Sequence, residues 1–392
     1  MLGPPRRRLL RLRNRAHAST VGNSPQGATV GQLTAHDLRL SPSLERAVST
    51  VLTADARRLP LVSSTVDLVV TSPPYWKKRD YGSSNQLGQE ATPEAYVAAL
   101  MDCLAEWRRV LTPTGSVMLN VGDGYSRRSL VGIPARVEAA AVAAGWLVRN
   151  RIIWTKSRGV PDPARDRLAN RHEYVLHLTR RRYYYDLHGY AEQYGRGTNP
   201  GDVWHIEPTR GASAHLAPFP VELARRAIQL ACPRRVCTAC GSPSQRILGR
   251  ATELDPARPQ ARRAMQLAEE AGLSPAHIAA VQATGLSDAG KALRVQTGAG
   301  RNSAHVQRLA AEAKTALGGY FREFTMARRV ALGWSDCGHY AMRPGRVLDP
   351  FAGTGTTGVA AVEQGLEYIG TDLNLEHHVD LAVLSPQLPL FG

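Results

Sequence analysis

An α/β fold built on a doubly wound sheet is what this sequence predicts, and three observations predict it. Short β-branched strand patterns alternate with helical stripes through the first half of the chain. A glycine-rich turn between a strand and a helix stands far downstream, after Arg346. Too little chain follows that turn to complete a sheet, so the remaining strands come from the N-terminal part and the element order is permuted.

The first strand of the pattern, Val66-Asp67-Leu68-Val69-Val70, runs straight into Ser72-Pro73-Pro74-Tyr75-Trp76. Two prolines hold an extended backbone whose carbonyls stay open, with an aromatic ring beside them, which suits a flat ring bearing an amino group. A helix follows over 93–111, because Tyr96, Leu100, Cys103, Leu104, Trp107 and Leu111 recur at helical spacing; Cys103 in that stripe is an inert core thiol. Strand 115–121, helix 133–144 and strand 147–154 continue the alternation. A loop rich in Arg, Pro and Asp covers 157–170, and helix 221–231 closes the first part.

Downstream, Arg346-Val347-Leu348 reads as a buried strand and Thr357 opens a helix. Between them lies Asp349-Pro350-Phe351-Ala352-Gly353-Thr354-Gly355-Thr356. Gly353, Gly355 and Gly358 have the G-x-G-x-x-G spacing that lets a backbone approach a cofactor closely, and Asp372 ends the next strand as a ribose acceptor. A phosphate-binding P-loop is excluded because no lysine follows Gly355. A nicotinamide dehydrogenase is excluded because its fold needs several more strand-helix units after the fingerprint.

The chain has 392 residues and a formal charge of +16, which calls for an acidic partner, nucleic acid first; an arginine-favouring codon bias is the bland alternative. No apolar run is long enough to span a membrane. Residues 1–36 hold six arginines and no acid, and read as a basic disordered tail; organellar transit peptides share that composition. Five cysteines without a paired pattern argue against a disulfide framework.

Taken together these segments resemble the β-class S-adenosylmethionine-dependent DNA amino-methyltransferases, in which the catalytic motif precedes the cofactor motif. The resemblance rests on Ala54-Asp55-Ala56, Ser72-Pro73-Pro74-Tyr75, the strand ending Asn120-Val121-Gly122-Asp123, and Ile152-Ile153-Trp154-Thr155-Lys156. It continues through Arg171-His172-Glu173-Tyr174, Asp202-Val203-Trp204, His215-Leu216-Ala217-Pro218-Phe219-Pro220 and the Phe351–Gly355 turn. It implies a Rossmann-like methyltransferase sheet and methyl transfer from S-adenosylmethionine to the exocyclic amine of a flipped base in double-stranded DNA. The Ser72 hydroxyl and the Pro73 carbonyl would orient the amine, Pro74 would stiffen the turn, and Tyr75 would stack on the base. Asp55 would lie near the adenine, Phe219 and Pro220 against the cofactor, and Asp349 at its amino-acid end. Phe351, Gly353, Gly355, Thr356 and Asp372 complete the cofactor set. Serine at the first catalytic position goes more often with cytosine N4 than with adenine N6, which stays the alternative. A non-catalytic DNA-binding protein on the same scaffold is the rival from another class. A cytoplasmic, bacterial or phage-encoded enzyme with a cognate restriction endonuclease is the setting implied.

The expected division is a basic tail at 1–36, a catalytic part at 37–231 with a recognition loop near 157–170, an insert at 232–340 and a cofactor-binding part at 341–392. In the insert, Cys237-Thr238-Ala239-Cys240 and Cys337-Gly338-His339 have the spacing of two halves of a structural Zn²⁺ site. Cys232 is a spare thiol or a competing ligand. Helices at 261–272 and 275–285, joined at Leu273-Ser274, read as a helix-turn-helix with His277, Gln282, Ser287 and Lys291 facing DNA. Met265, Leu267, Ile278 and Val281 equally suit a small helical hairpin.

Overall fold

A computed structural model describes residues 49–157, 164–208, 219–285 and 302–376. These residues belong to one unit, 42–392, and a second unit spans 1–41. The predicted basic tail, residues 158–163 of the predicted recognition loop, residues 215–218, and Ser287 and Lys291 lie outside the described residues.

Strand β1 (Ser49–Thr53) is followed by β2 (Val66–Thr71), whose six residues are all buried, as befits a central strand covered on both faces. Helix α1 (Pro93–Val110) starts where Thr92 accepts a hydrogen bond from Ala95 N and Pro93 presets the first turn; Arg108 and Arg109 sit at its negative end. Its buried face is the predicted stripe, Tyr96, Leu100, Cys103, Leu104 and Trp107, together with Val97 and Val110. Then come β3 (Leu111–Val121), a small hairpin of β4 (Tyr125–Ser126) and β5 (Ser129–Leu130), α2 (Ile133–Ala143), β6 (Leu147–Thr155) and β7 (His172–Thr179). Helix α3 (Leu187–Tyr194), β8 (Val203–His205) and α4 (Val221–Ala231) complete this part.

The insert opens with β9 (Val236–Cys237) and β10 (Arg246–Arg250) and continues through α5 (Pro259–Glu270), α6 (Pro275–Thr284), α7 (Ala304–Leu317) and α8 (Phe321–Thr325). It returns through β11 (Arg329–Trp334) and β12 (Met342–Arg343). The chain then adds β13 (Arg346–Asp349), α9 (Thr356–Glu363) and β14 (Glu367–Asp372).

Eight strands form one sheet in the order β1-β14-β13-β2-β3-β7-β6-β8. All run the same way except β7, which is antiparallel to both β3 and β6. Side chains alternate across the sheet: Val69 and Leu348 join the core under α1 and α2, while Leu68, Val70 and Val347 join the core under α4 and α9. The permuted halves are fastened at the bottom of the sheet, where buried Asp67 on β2 pairs with Arg343 at 2.6 Å and accepts from Arg346 N at 2.9 Å. Among the described residues no helix is long and apolar enough to cross a membrane.

The insert differs from a bare helix-turn-helix. Helices α7 and α8 pack on the predicted pair and share a core of Leu254, Ile278, Val281, Leu317 and Phe324. The two side chains expected to face DNA are used internally instead. His277 forms a capping box with Ser274 and lies 3.3 Å from Glu312, and Gln282 donates to the carbonyl of Ala251 at 2.9 Å. A helix hemmed in by two others spends its polar side chains on neighbouring backbone, which a two-helix pattern cannot reveal. The insert is pinned to the sheet part by Arg246, whose Nη2 lies 2.7 Å from the Asp186 carboxylate.

Candidate active site

Strand β2 leads through α1 to β3 on one side, whereas β13 leads through α9 to β14 on the other. The loops leaving β2 and β13 therefore diverge and open a crevice at the carboxyl ends of the strands, the place where open α/β sheets bind ligands. The Ser72–Tyr75 turn lines one side of that crevice and the Phe351–Gly355 turn the other.

Asp349, at the end of β13, joins the two turns. It is 1% exposed, and its carboxylate accepts from Thr71 Oγ1 and Thr357 Oγ1, each at 2.6 Å, and from Phe351 N at 3.1 Å. Burial, the leading cause, pushes its pKa up to about 7 against the lowering effect of those donors. The carboxylate expected at a cofactor's amino-acid end is thus turned inward, because three donors from three chain segments converge on it.

On the glycine side, Gly353 and Gly355 adopt positive φ of 49° and 84°, and Gly355 caps α9. Gly353 N donates to Asp372 Oδ2 at 2.9 Å, and Thr356 and Thr354 hydroxyls meet at 3.2 Å. The Phe351 ring stands edge-on to Trp107. Asp55 follows β1, which pairs with β14 so that Ala54 N donates to Asp372 O at 2.9 Å. Its carboxylate is held by Arg57 N at 2.9 Å and by the Arg57 guanidinium, which keeps it below the usual range. Asp55, Asp349, Phe351, Gly353, Gly355, Thr356 and Asp372 thus share the carboxyl edge of β1, β14 and β13. Pro220 caps α4, and Phe219 lies half-buried against the core beneath α4 and α9.

The other turn is braced on all sides but one. Tyr96 Oη donates to Pro74 O at 2.9 Å, Lys78 N to Tyr75 O at 3.1 Å, and Trp76 Nε1 to Glu90 O at 3.0 Å. Gly88 comes so close that a Cβ there would lie 2.9 Å from Tyr75 O. The Pro73 carbonyl accepts no hydrogen bond among the described residues.

Beside it lies a polar cluster in which Ser72 and Tyr75 meet three residues that sequence reasoning left without a role, Asn120, Lys156 and Glu173. Tyr75 Oη donates to Glu173 Oε2 at 2.5 Å, and Asn120 Nδ2 donates to Tyr75 Oη at 2.8 Å and to Glu173 Oε2 at 3.0 Å. Ser72 Oγ is 3.3 Å from both Tyr75 Oη and Asn120 Nδ2. Lys156 Nζ pairs with the other Glu173 oxygen and sits 4.2 Å above the Trp154 ring. Burial and then the charge of Glu173 hold the Tyr75 pKa well above its ordinary value, so the phenol stays a neutral donor. Asn120, Lys156 and Glu173 come from β3, the end of β6 and the start of β7. They meet because β7 alone is reversed, pairing Trp154 with Glu173 and Val121 with Tyr174. The available signal was a polar residue at or next to the end of each of the three strands, Asn120, Lys156 and Glu173.

A second constellation lies in the insert. The ligand atoms of Cys237, Cys240, Cys337 and His339 all fall within 4.8 Å of one another, with Cys337 Sγ 3.5 Å from His339 Nδ1. Four tetrahedral Zn²⁺ ligands at about 2.1–2.3 Å need a similar spacing, so the donor set fits that ion. Hydrogen bonds from the Ser242 side chain and backbone, then Cys237, lower the Cys240 thiol to about 6, while the Cys337 thiol beside it is raised. Cys232 stands outside the cluster; its thiol is buried and its pKa is pushed well up. β9 and β12 pair Cys237 with Met342 and so close the neck of the insert beside these ligands.

A family profile described as DNA methylase matches residues 66–236 and 340–383, leaving out most of the insert. Among curated proteins, the chain is 33% identical over 240 residues to the Type II methyltransferase M.Cfr9I of Citrobacter freundii, covering 52% of this chain and 79% of that one. It is 30% identical over 388 residues to the Type II methyltransferase M.SfiI of Streptomyces fimbriatus, covering 83% and 89% respectively. Of solved structures, the PvuII DNA methyltransferase (cytosine-N4-specific) aligns with TM-score 0.48 and 14% identity over 88% of this chain and 87% of that one.

Proposed function

The chain belongs to the DNA methylase family, the S-adenosylmethionine-dependent amino-methyltransferases of DNA, and on that premise we propose that it methylates cytosine N4 at a specific site in duplex DNA. The observation that carries this reading is the Ser72–Tyr75 turn. It offers one open carbonyl and one loosely held hydroxyl beside an anchored aromatic ring, across a crevice from the glycine turn.

An exocyclic amine is a poor nucleophile because its lone pair is delocalised into the base. Acceptors aimed at its two N–H bonds draw it toward a tetrahedral geometry; the Pro73 carbonyl and Ser72 Oγ take those positions. Tyr75 supplies the face on which the extruded base stacks, and Glu173 and Asn120 fix the ring by its hydroxyl. Pro74, locked by Tyr96, keeps the turn from yielding. The amine sheds its proton only after attack, so the site needs no strong base. Bound S-adenosylmethionine supplies an electrophilic methyl group on a sulfonium. Gly353, Gly355, Thr356 and Phe351 form its bed, Asp372 and Asp55 face its nucleoside end, and Phe219 and Pro220 approach it from the start of α4. Asp349 holds the two turns in register.

Cys237, Cys240, Cys337 and His339 would hold one structural Zn²⁺ that fastens the neck of the insert, and the insert together with the 157–170 loop reads the target sequence. Double-stranded DNA is the macromolecular partner, and a cognate restriction endonuclease is the biological one. Ser72→Ala and Tyr75→Ala test the catalytic assignment. Both should abolish turnover while calorimetric binding of S-adenosylmethionine stays within about twofold of the parent. Undiminished turnover in both variants sinks it.

A further inference from the structure

The hairpin formed by β4 and β5 has no role in the mechanism above, yet it grows directly out of the active site. Asn120 contacts Tyr75, and Gly122 lies so near the Tyr75 ring that a Cβ there would be 2.5 Å from Cε2. The hairpin begins just after it. Its base is clamped: Asp123 Oδ1 accepts from Gly124 N at 2.9 Å, Gly132 N at 3.0 Å and Ile133 N at 3.1 Å, and Val131 N donates to Gly124 O at 2.9 Å. Its tip is the reverse. Arg127 and Arg128 occupy the two turn positions, at φ of 48° and 66°, and both are exposed. A two-residue hairpin turn of this hand normally takes Asn-Gly or Asp-Gly, because other side chains are strained at positive φ. Two adjacent arginines there cost conformational energy.

The neighbourhood is basic and apolar. Arg167 lies 3.8 Å over the ring of exposed Tyr125, and Arg128 approaches Asp166 at 3.5 Å with both side chains largely solvated. These contacts lay residues 164–170 of the predicted recognition loop against the hairpin. Leu130 at 51% and Leu168 at 90% exposure add apolar surface.

We propose that residues 124–132 form a rigid finger that enters duplex DNA beside the extruded base, with Arg127 and Arg128 contacting the phosphates that flank the vacated position. This rests on the DNA-methylase reading and names how that site meets its substrate. From Gly122 to Arg127 a strand-like chain reaches at most about 17 Å, comparable to the width of the major groove, about 12 Å. The finger is therefore long enough to touch the backbone of DNA whose base lies on Tyr75. The clamped base lowers the backbone ordering cost of binding, leaving chiefly the two arginine side chains to be ordered.

The test is the double variant Arg127→Asn/Arg128→Gly, which removes both charges and installs residues the turn favours. Its thermal midpoint and its affinity for S-adenosylmethionine should match or exceed those of the parent. Each lost phosphate contact lowers the slope of log K against log salt by about 0.9, so with mixed-sequence duplex DNA the slope should fall by about 2, and affinity at 0.1 M monovalent salt by about 60-fold. Arg127→Lys/Arg128→Lys should keep the slope. A slope unchanged in the Asn/Gly variant, with a parent enzyme that methylates DNA, overturns the finger alone. A parent that neither binds nor methylates duplex DNA overturns the functional reading and the finger with it.

Discussion

Replacing Asp349 with asparagine should expose a titration that the parent protein conceals. The carboxyl is buried without a cation among the described residues, and its pKa rises from an ordinary 3.8 to about 7. An acid whose pKa is raised by folding contributes stability that is fully present below the unfolded value and is lost as pH climbs through the folded value. For this difference the loss totals about 4 kcal/mol, of which about 2 falls between pH 5 and 7. His177 works in the opposite direction. Burial first, and the charge of Arg149 second, hold its imidazole from 6.5 down to about 3, so raising the pH from 5 to 7 restores about 2 kcal/mol. The two trends oppose one another, so the Asp349 titration is masked in the parent. Asparagine keeps an acceptor for Thr71 Oγ1 and Phe351 N and can donate to Thr357 Oγ1, reproducing the protonated carboxyl. Urea denaturation of both proteins at pH 5 and at pH 7 should therefore shift their stability difference by about 2 kcal/mol in favour of the variant at the higher pH. A difference that stays constant across the window refutes the titration and the buried environment from which it is argued.

The remaining predictions concern the ring, its anchor and the metal. Gly122→Ala sets a methyl group 2.5 Å from Tyr75 Cε2, so the ring must move and kcat should fall at least about tenfold with thermal stability lowered by only about 1–3 kcal/mol. Glu173→Gln removes the charged partner of both Tyr75 Oη and Lys156; a kcat loss of about tenfold or more with unchanged cofactor affinity is expected, and full activity would remove Glu173 from the site. Native mass spectrometry should find one zinc per chain, absent in Cys240→Ser, whose thermal midpoint should drop by about 5 °C or more.

The parts of this protein that the sequence announces are those where one residue type has one physical use. The apolar stripe of α1 admits only a helix with one buried face, and it packs as its spacing requires. Glycines at 353 and 355 flanked by strand and helix patterns mark a tight turn, and both have positive φ. What stayed hidden depends on strand direction or on side chains used against their usual preference. Glu173 joins the catalytic turn only because β7 runs backwards, a fact of pairing and not of local pattern. His277 and Gln282 look like surface contacts until two further helices close over them. The Arg127-Arg128 turn carries no turn-forming residue at its centre, so no composition rule finds it. Asp349 sits in a motif that suggests a ligand contact, while its burial, which no spacing encodes, turns it into the joint between two loops.

The central claim is transfer of a methyl group to an exocyclic amine, and nucleoside mass spectrometry tests it most directly. Mixed-sequence duplex DNA incubated with the purified protein and isotopically labelled S-adenosylmethionine should yield label in N4-methylcytosine. Label in N6-methyladenine would contradict the cytosine assignment while leaving the turn chemistry intact. Label in 5-methylcytosine, or no labelled nucleoside from a protein that binds both cofactor and DNA, would contradict the account itself.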